Sequence, residues 1–151
     1  MKIALMPNLS KQNAHAYTVR IIKQLLQLKC EIFLYDKYQD YFNFEEIRFF
    51  KDFYEMIFAC DTVITIGGDG TIIHASKHAA AAGKPILGIN LGRIGFVAGL
   101  EIDELDKLKH LISGDYRIEK RMMLKVTVHT GEDSQEIYAL NDAVVSRGSL
   151  S

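Results

Sequence analysis

Residues 67–71 read GGDGT, three glycines around one carboxylate, directly after the apolar run TVITI at 62–66. Glycines permit positive φ and let backbone N–H groups approach an anion closely. A helix beginning beyond the turn adds partial positive charge, which favours phosphate. Asp69 is the odd member, because a carboxylate repels phosphate. It suits a group that takes a proton from an attacking hydroxyl, or one that helps hold a magnesium ion. The plainer reading is a glycine turn in which Asp69 caps the helix. At the level of the motif both readings stay open.

Other chemistry-bearing patterns fail. A Walker loop needs G-x-x-x-x-G-K-[ST], but Gly83-Lys84 is followed by Pro85. A dinucleotide fingerprint needs G-x-G-x-x-G after the first strand, and ALMPNLS contains no glycine. The segment GINLGRIGFVAG spaces its glycines at 88, 92, 95 and 99, which is not that fingerprint. His74 and His78 share a helical face, as zinc would want, but the metalloprotease glutamate is missing. A surface or core pair explains them better, with His74 one turn into the helix and able to face the same ligand as the glycine turn. Cys30 and Cys60 have no metal-ligand spacing and read as buried free thiols.

The elements that must position GGDGT follow from apolar periodicity. KIALM, EIFLY, TVITI and PILGI read as buried strands, the third continuously apolar as a strand covered on both faces should be. Tyr17, Ile21, Ile22, Leu25 and Leu28 recur at helical spacing and predict a helix from Ser10 to about Lys29. Residues 37–60 are aromatic-rich and predict a variable loop with a helix around Glu45 to Ala59. The alanine-rich TIIHASKHAAAA predicts a helix from about residue 71, stopped by Gly83 and Pro85. This alternation predicts an α/β, Rossmann-like, doubly wound and mostly parallel sheet over residues 1–100.

Beyond Gly99 the texture changes. EIDELDKLKHLISG predicts an amphipathic helix closed by Gly114. LKVTVHT and SQEIYAL around a GED turn predict an antiparallel hairpin with one wet face, followed by a strand at NDAVVS. A hairpin and one strand cover too little apolar surface to stand alone. Residues 101–151 therefore read as the beginning of a second, mainly antiparallel β domain, cut short.

Composition bounds the class. Hydrophobic residues make up 48% of the 151, enough for a core, and 25% are charged. The 18 basic and 19 acidic residues nearly cancel, which argues against general affinity for nucleic acid or an anionic membrane. The start MKIALMPN is too short an apolar run for a signal peptide, and the expectation is a cytoplasmic protein.

Taken together, three segments resemble the NAD kinase family. GGDGT looks like that family's phosphate-binding turn, NLGRIGFVAGL like its second glycine-rich segment, and ALNDAVVSRG like its asparagine-acid motif. With EKRMML between them, the match covers roughly residues 60–151; the first 60 match only in strand-helix-strand pattern. The resemblance implies transfer of a phosphoryl group to the 2′-hydroxyl of the adenosine ribose of NAD, giving NADP. The donor would be ATP or polyphosphate, with a divalent metal ion such as Mg2+ whose ligands the match does not assign. Asp69 falls where the family has its proton acceptor, and Gly68 and Gly70 fall in its phosphate turn. His74 falls near the NAD site, Asn141 and Asp142 correspond to the pair that holds the adenosine half, and Phe96 corresponds to a pocket wall.

One departure stands out. The family's later glycine- and threonine-rich segment has no counterpart here, so the expectation is a fragment inactive by itself, or a shorter protein that kept the first half. Val126, Val128 and Ile137 would then lie exposed, inviting association into oligomers. Two rivals remain: a lipid kinase of the diacylglycerol kinase type, and a non-catalytic nucleotide-binding module.

Overall fold

The computed structural model of the chain describes residues 1–92 and 98–144. The expectation placed on Phe96 lies outside the described residues. The chain divides into two units, Met1–Ile118 and Glu119–Ser151, each described by itself.

The first unit is built on six strands: β1 (Lys2–Pro7), β2 (Glu31–Tyr35), β3 (Ile47–Phe50), β4 (Thr62–Gly67), β5 (Ile86–Asn90) and β6 (Leu100–Glu101). Their order is β3-β2-β1-β4-β5-β6, and each neighbouring pair is parallel. All six residues of central β4 are buried, which is why its sequence lacks polar alternation. Helices α1 (Ala14–Gln27) and α4 (Leu108–Ser113) cover one face, where Ile21, Ile22, Leu25, Leu105 and Leu108 meet Ile3, Leu5, Ile64 and Ile66. Helices α2 (Phe53–Ala59) and α3 (Asp69–Ala81) cover the other, where Met56, Ile57 and Ala79 meet Ala4, Phe33 and Val63. The doubly wound parallel sheet expected from the sequence is present.

Several boundaries differ, each for a local reason. Helix α1 starts at Ala14 rather than Ser10, because Asn8 Oδ1 accepts from both the Ser10 amide, at 3.2 Å, and the Ser10 hydroxyl, at 2.7 Å. That side-chain turn holds the backbone out of the helix. The stretch 37–60 holds more structure than expected: a 3₁₀ turn at Asp36–Tyr41, then β3, then α2. Helix α2 begins at Phe53 and not near Glu45, since Asp52 accepts the Glu55 N–H at 2.7 Å as its N-cap. The expected helix over EIDELDKLKHLISG is shorter as well. Its first residues close strand β6 and a turn, a 3₁₀ turn follows at Leu105–Lys107, and α4 ends at Gly114, φ 75°.

The second unit holds a hairpin of β7 (Leu124–Thr130) and β8 (Asp133–Ala139), paired antiparallel from Leu124↔Ala139 to Thr130↔Asp133. Its turn is two residues, Gly131 (φ 63°) and Glu132, so Asp133 belongs to the strand and not to the turn. Val128 and Ile137 are exposed as expected, and Leu124 with them, whereas Val126 is half-buried. Asn141–Val144 form no strand, contrary to the reading of NDAVVS, whose last two residues lie outside the described ones. Among the described residues no helix is long and apolar enough to cross a membrane.

Where α3 crosses β5, packing depends on a missing side chain. A Cβ on Gly88 would stand 2.3 Å from Ile72 Cδ1 and 3.3 Å from the backbone Cα of Ala98. A Cβ on Gly92 would meet nothing within 4 Å. Gly88→Ala should therefore cost ~1–3 kcal/mol, as overpacking does, while Gly92→Ala should leave stability nearly unchanged. Urea unfolding of both variants checks this, and equal midpoints would contradict it.

Candidate active site

The sheet order places a switch point between β1 and β4, the two strands from which the chain winds in opposite directions. Ligands of open α/β sheets bind beyond the carboxyl ends of the strands at such a point. Here those ends carry Asn8, one residue past β1, and Gly68, one residue past β4. The Asn8 amide continues the ladder by donating to the Ile66 carbonyl at 2.8 Å, and the Leu91 amide does the same to Gly67 at 2.8 Å.

GGDGT is more compact than the turn expected. Only Gly68 separates β4 from α3, and the helix begins at Asp69, two residues before the expected start. None of these glycines uses positive φ, which among the described glycines occurs at Gly83, Gly114 and Gly131. At Gly67 the reason is space. A Cβ on Gly67 would stand 2.3 Å from Thr71 Oγ1 and 3.3 Å from Asn8 Cβ. At Gly68 and Gly70 a Cβ would meet nothing within 4 Å, so the backbone there faces open room. The first turn of an α-helix leaves N–H groups without intrahelical partners, which makes that room suitable for an anion.

Asp69 is the first helical residue and is half-buried. The cap position belongs to Gly68, extended at φ −119°, ψ −172°. The reading of Asp69 as the N-cap is therefore corrected.

Beside this junction lies a cleft of about 420 Å³. Its walls include Met6, Pro7 and Asn8 from the end of β1, Gly70, Thr71 and His74 from α3, and Tyr35, Lys37, Tyr38 and Phe53 opposite. Asn8 Nδ2 donates to Thr71 Oγ1 at 3.4 Å, linking the end of β1 to the first turn of α3. The Tyr38 hydroxyl donates to the Pro7 carbonyl at 2.8 Å, which fixes its ring. Of the residues proposed from sequence, Gly70 and His74 line the cleft, and Gly68 and Asp69 stand in the junction beside it. Asn141 and Asp142 belong to the second unit, are exposed, and follow the end of β8.

Asn8, Lys37, Tyr38 and Phe53 are site residues the motif search missed. PNLS after the first strand is an Asx-turn signature, which points to Asn8. The other three come from segments of irregular pattern. Asn90 was missed too. It is buried at the end of β5, its Nδ2 donates to both Glu101 carboxylate oxygens at 3.2 Å, and its Oδ1 accepts the Gly92 N–H at 3.3 Å. These bonds fix the entry to the second glycine-rich segment.

The histidine pair lies on one face of α3. The two rings lie 5.4 Å apart by centroid, and among the described residues no three His, Cys, Asp or Glu side chains group to hold a metal. His78 Nδ1 shares a 3.1 Å hydrogen bond with the Tyr54 hydroxyl instead. The two cysteines are buried free thiols, and burial pushes both thiol pKa values up.

Comparison with known proteins agrees with this geometry. The family model described as the ATP-NAD kinase N-terminal domain matches residues 3–116. An NAD kinase of Clostridium perfringens is 44% identical over 121 residues, covering 76% of this chain and 44% of the relative. An NAD kinase of Natranaerobius thermophilus is 35% identical over 153 residues, covering 99% of this chain and 52% of the relative. The chain thus spans about half the length of these curated relatives. Among solved structures, a yeast NADH kinase complexed with NADH aligns at TM-score 0.75 and 18% identity, over 92% of this chain and 46% of that one. An NAD kinase from Archaeoglobus fulgidus in complex with ATP aligns at TM-score 0.50 and 20% identity, over 84% of this chain and 41% of that one. At such identities these two structures show the shared fold alone.

His78 generates a prediction. Burial first, then the charges of Lys77 and His74, lower its pKa from the usual imidazole value. The fold therefore disfavours the protonated ring. This contribution is intact above the unfolded value of about 6.5 and is lost as pH falls below it. The urea midpoint should drop between about pH 7 and about pH 5, and His78→Gln should drop less over the same span. Parallel curves would contradict the assignment.

Proposed function

The chain belongs to the NAD kinase family, and from that premise we propose that it carries the phosphate-binding half of an enzyme that phosphorylates the 2′-hydroxyl of the adenosine ribose of NAD. The observation that carries the reading is Asp69 at the head of α3, between two glycines that leave open room at a sheet switch point. The donor is ATP or polyphosphate and the product NADP. Family membership favours this over a lipid kinase or a non-catalytic module.

In the proposed reaction the ribose 2′-oxygen attacks the donor's terminal phosphorus while Asp69 accepts its proton. The bond from that phosphorus to the bridging oxygen breaks, and the leaving phosphate chain takes the electron pair. Positioning supplies most of such a transfer, because the protein does little covalent chemistry. The α3 N-terminus favours the negative charge of the transferring group. A magnesium ion needs few protein ligands, since it keeps waters and binds substrate phosphates. When bound, the ion would neutralise phosphate charge; Asp69, the carboxylate at the junction, is assigned to the proton and not to the ion.

On the resemblance of their motifs we propose Asn141 and Asp142 for the adenosine half of NAD, and His74 and Phe96 for its pocket. We assign the first unit to phosphate binding and the second to the opening of the β-rich NAD-binding portion; the boundary expected between residues 100 and 101 falls inside the first unit, where Leu105 and Leu108 pack against the sheet. The exposed Leu124, Val128 and Ile137 support association between copies through that portion.

The test is a hybrid in which this chain replaces the matched half of the Natranaerobius relative, assayed for NADP by a coupled dehydrogenase. Asp69→Asn should keep NAD binding and lose rate by ~10²- to 10⁴-fold, as removal of a general base does. Unchanged turnover would remove Asp69 from the chemistry. Alanine at both Asn141 and Asp142 should raise the NAD dissociation constant at least several-fold, since a stranded polar partner costs ~1–3 kcal/mol. An unchanged titration would place the pair outside the site. The 151-residue chain alone should form no NADP, and robust formation would overturn the assignment of the NAD wall.

A further inference from the structure

The proposed reaction has no use for His78, nor for the two histidines of α3 as a pair. His74 and His78 stand four residues apart on a helix of 13 residues, so their side chains lie one above the other. Their ring centroids are 5.4 Å apart, with the planes tilted by 56°. Two imidazoles that bind one tetrahedral zinc ion at ~2.0–2.1 Å place their ring centres about 5 Å apart. The pair is therefore already at a chelating separation. The glutamate missing from the sequence pattern is the general base of a metalloprotease, and holding an ion does not require it.

The surroundings suit a ligand pair. His74 is exposed and His78 half-buried, so an ion reaches both from solvent. Helix α2 holds the His78 ring from the side. Phe53 meets it edge to face at 5.0 Å by centroid, and Tyr54 lies 5.6 Å away. The Tyr54 hydroxyl lies 3.1 Å from His78 Nδ1. A metal-ligating histidine donates its other ring N–H to a fixed acceptor, which sets both tautomer and orientation. The Tyr54 oxygen can be that acceptor. With Nδ1–H donating to it, the lone pair of Nε2 is left for an ion. Among the described residues neither ring is tied up in an ion pair, whereas His110 is paired with Asp115. Lys77 opposes a cation but belongs to another side of the helix, since neighbours in sequence do not share a face.

We propose that His74 and His78 chelate a divalent ion of the zinc class on the face of α3, with Tyr54 orienting His78. Imidazole suits zinc, copper and nickel, whereas magnesium takes oxygen ligands. The site is therefore distinct from any magnesium carried by substrate phosphates, and it stands whether or not the kinase reading holds. Two protein ligands leave the remaining positions to water or to a molecule in the cleft, which His74 and Phe53 also line.

The experiment is isothermal titration of the 151-residue chain with zinc chloride, alone and against an excess of magnesium chloride. Zinc should bind saturably, and magnesium should not displace it. His74→Gln and His78→Gln should each weaken zinc by at least about ten-fold, because chelation makes the second bond intramolecular. Tyr54→Phe should weaken it by about ten-fold, as loss of the group that orients a ligating histidine does. His110→Gln should leave the affinity unchanged. Should His78→Gln fail to fold, nitrogen–proton spectra of the imidazole rings decide the matter on the unaltered chain. Zinc should then shift the His74 and His78 ring signals together and leave those of His15, His110 and His129 in place. Absence of saturable zinc binding would overturn the inference. So would zinc affinity untouched by either histidine substitution on α3, or shifts confined to the other three rings. Unchanged affinity in Tyr54→Phe would overturn the orienting role of that hydroxyl.

Discussion

The site depends on one missing side chain. At Gly67 a Cβ would stand 2.3 Å from Thr71 Oγ1 and 2.9 Å from Thr71 Cβ, closer than packed atoms approach. Because nothing is there, α3 can begin one residue after β4 ends and bring Thr71 within 3.4 Å of Asn8. A bulkier residue would push the helix away from the end of β1 and open the switch point. The positive end of the helix is thus delivered by the sheet itself and not by a loop of its own. Phosphoryl transfer rewards such placement, since misplacing a reacting group by an ångström can cost ~10²-fold in rate.

The same junction answers why a carboxylate tolerates a phosphate site. At the first helical position Asp69 lies in the field of the helix dipole, which favours a negative side chain by ~0.3–1 kcal/mol. Under the proposed reaction the fold bears some repulsion toward an incoming phosphate in return for a base beside the reacting oxygen. Gly68 and Gly70 flank it with open room, so a ligand meets backbone and a carboxylate, with no side chain between.

How much of this was legible in the sequence follows from where the forces lie. The strands at β1, β2, β4 and β5 announced themselves as apolar runs because the sheet buries both of their faces. Strand β3 did not. It is an edge strand, and its Arg48 lies over the Phe50 ring, 4.5 Å from the centre, so a charge interrupts the apolar pattern. GGDGT stood out as a motif, but its glycines were read for conformational freedom when the constraint at Gly67 is space. That space is taken up by Thr71, four residues on, and beyond it by Asn8, 59 positions away from Gly67, a contact that no local pattern encodes. The cleft wall was illegible for the same reason. Tyr35, Tyr38 and Phe53 meet only because the 3₁₀ turn and α2 fold back over the end of β2.

The most direct measurement of the central claim, that the β4–α3 junction receives phosphate, is residue by residue. Amide nitrogen–proton correlation spectra of the labelled chain would be followed as ATP is added with magnesium. The account predicts saturable shifts in the Gly68, Gly70 and Thr71 amides, with Asn8 moving in step and one dissociation constant describing all four. Shifts confined to Glu119–Val144, with those four amides unmoved at saturation, would contradict it.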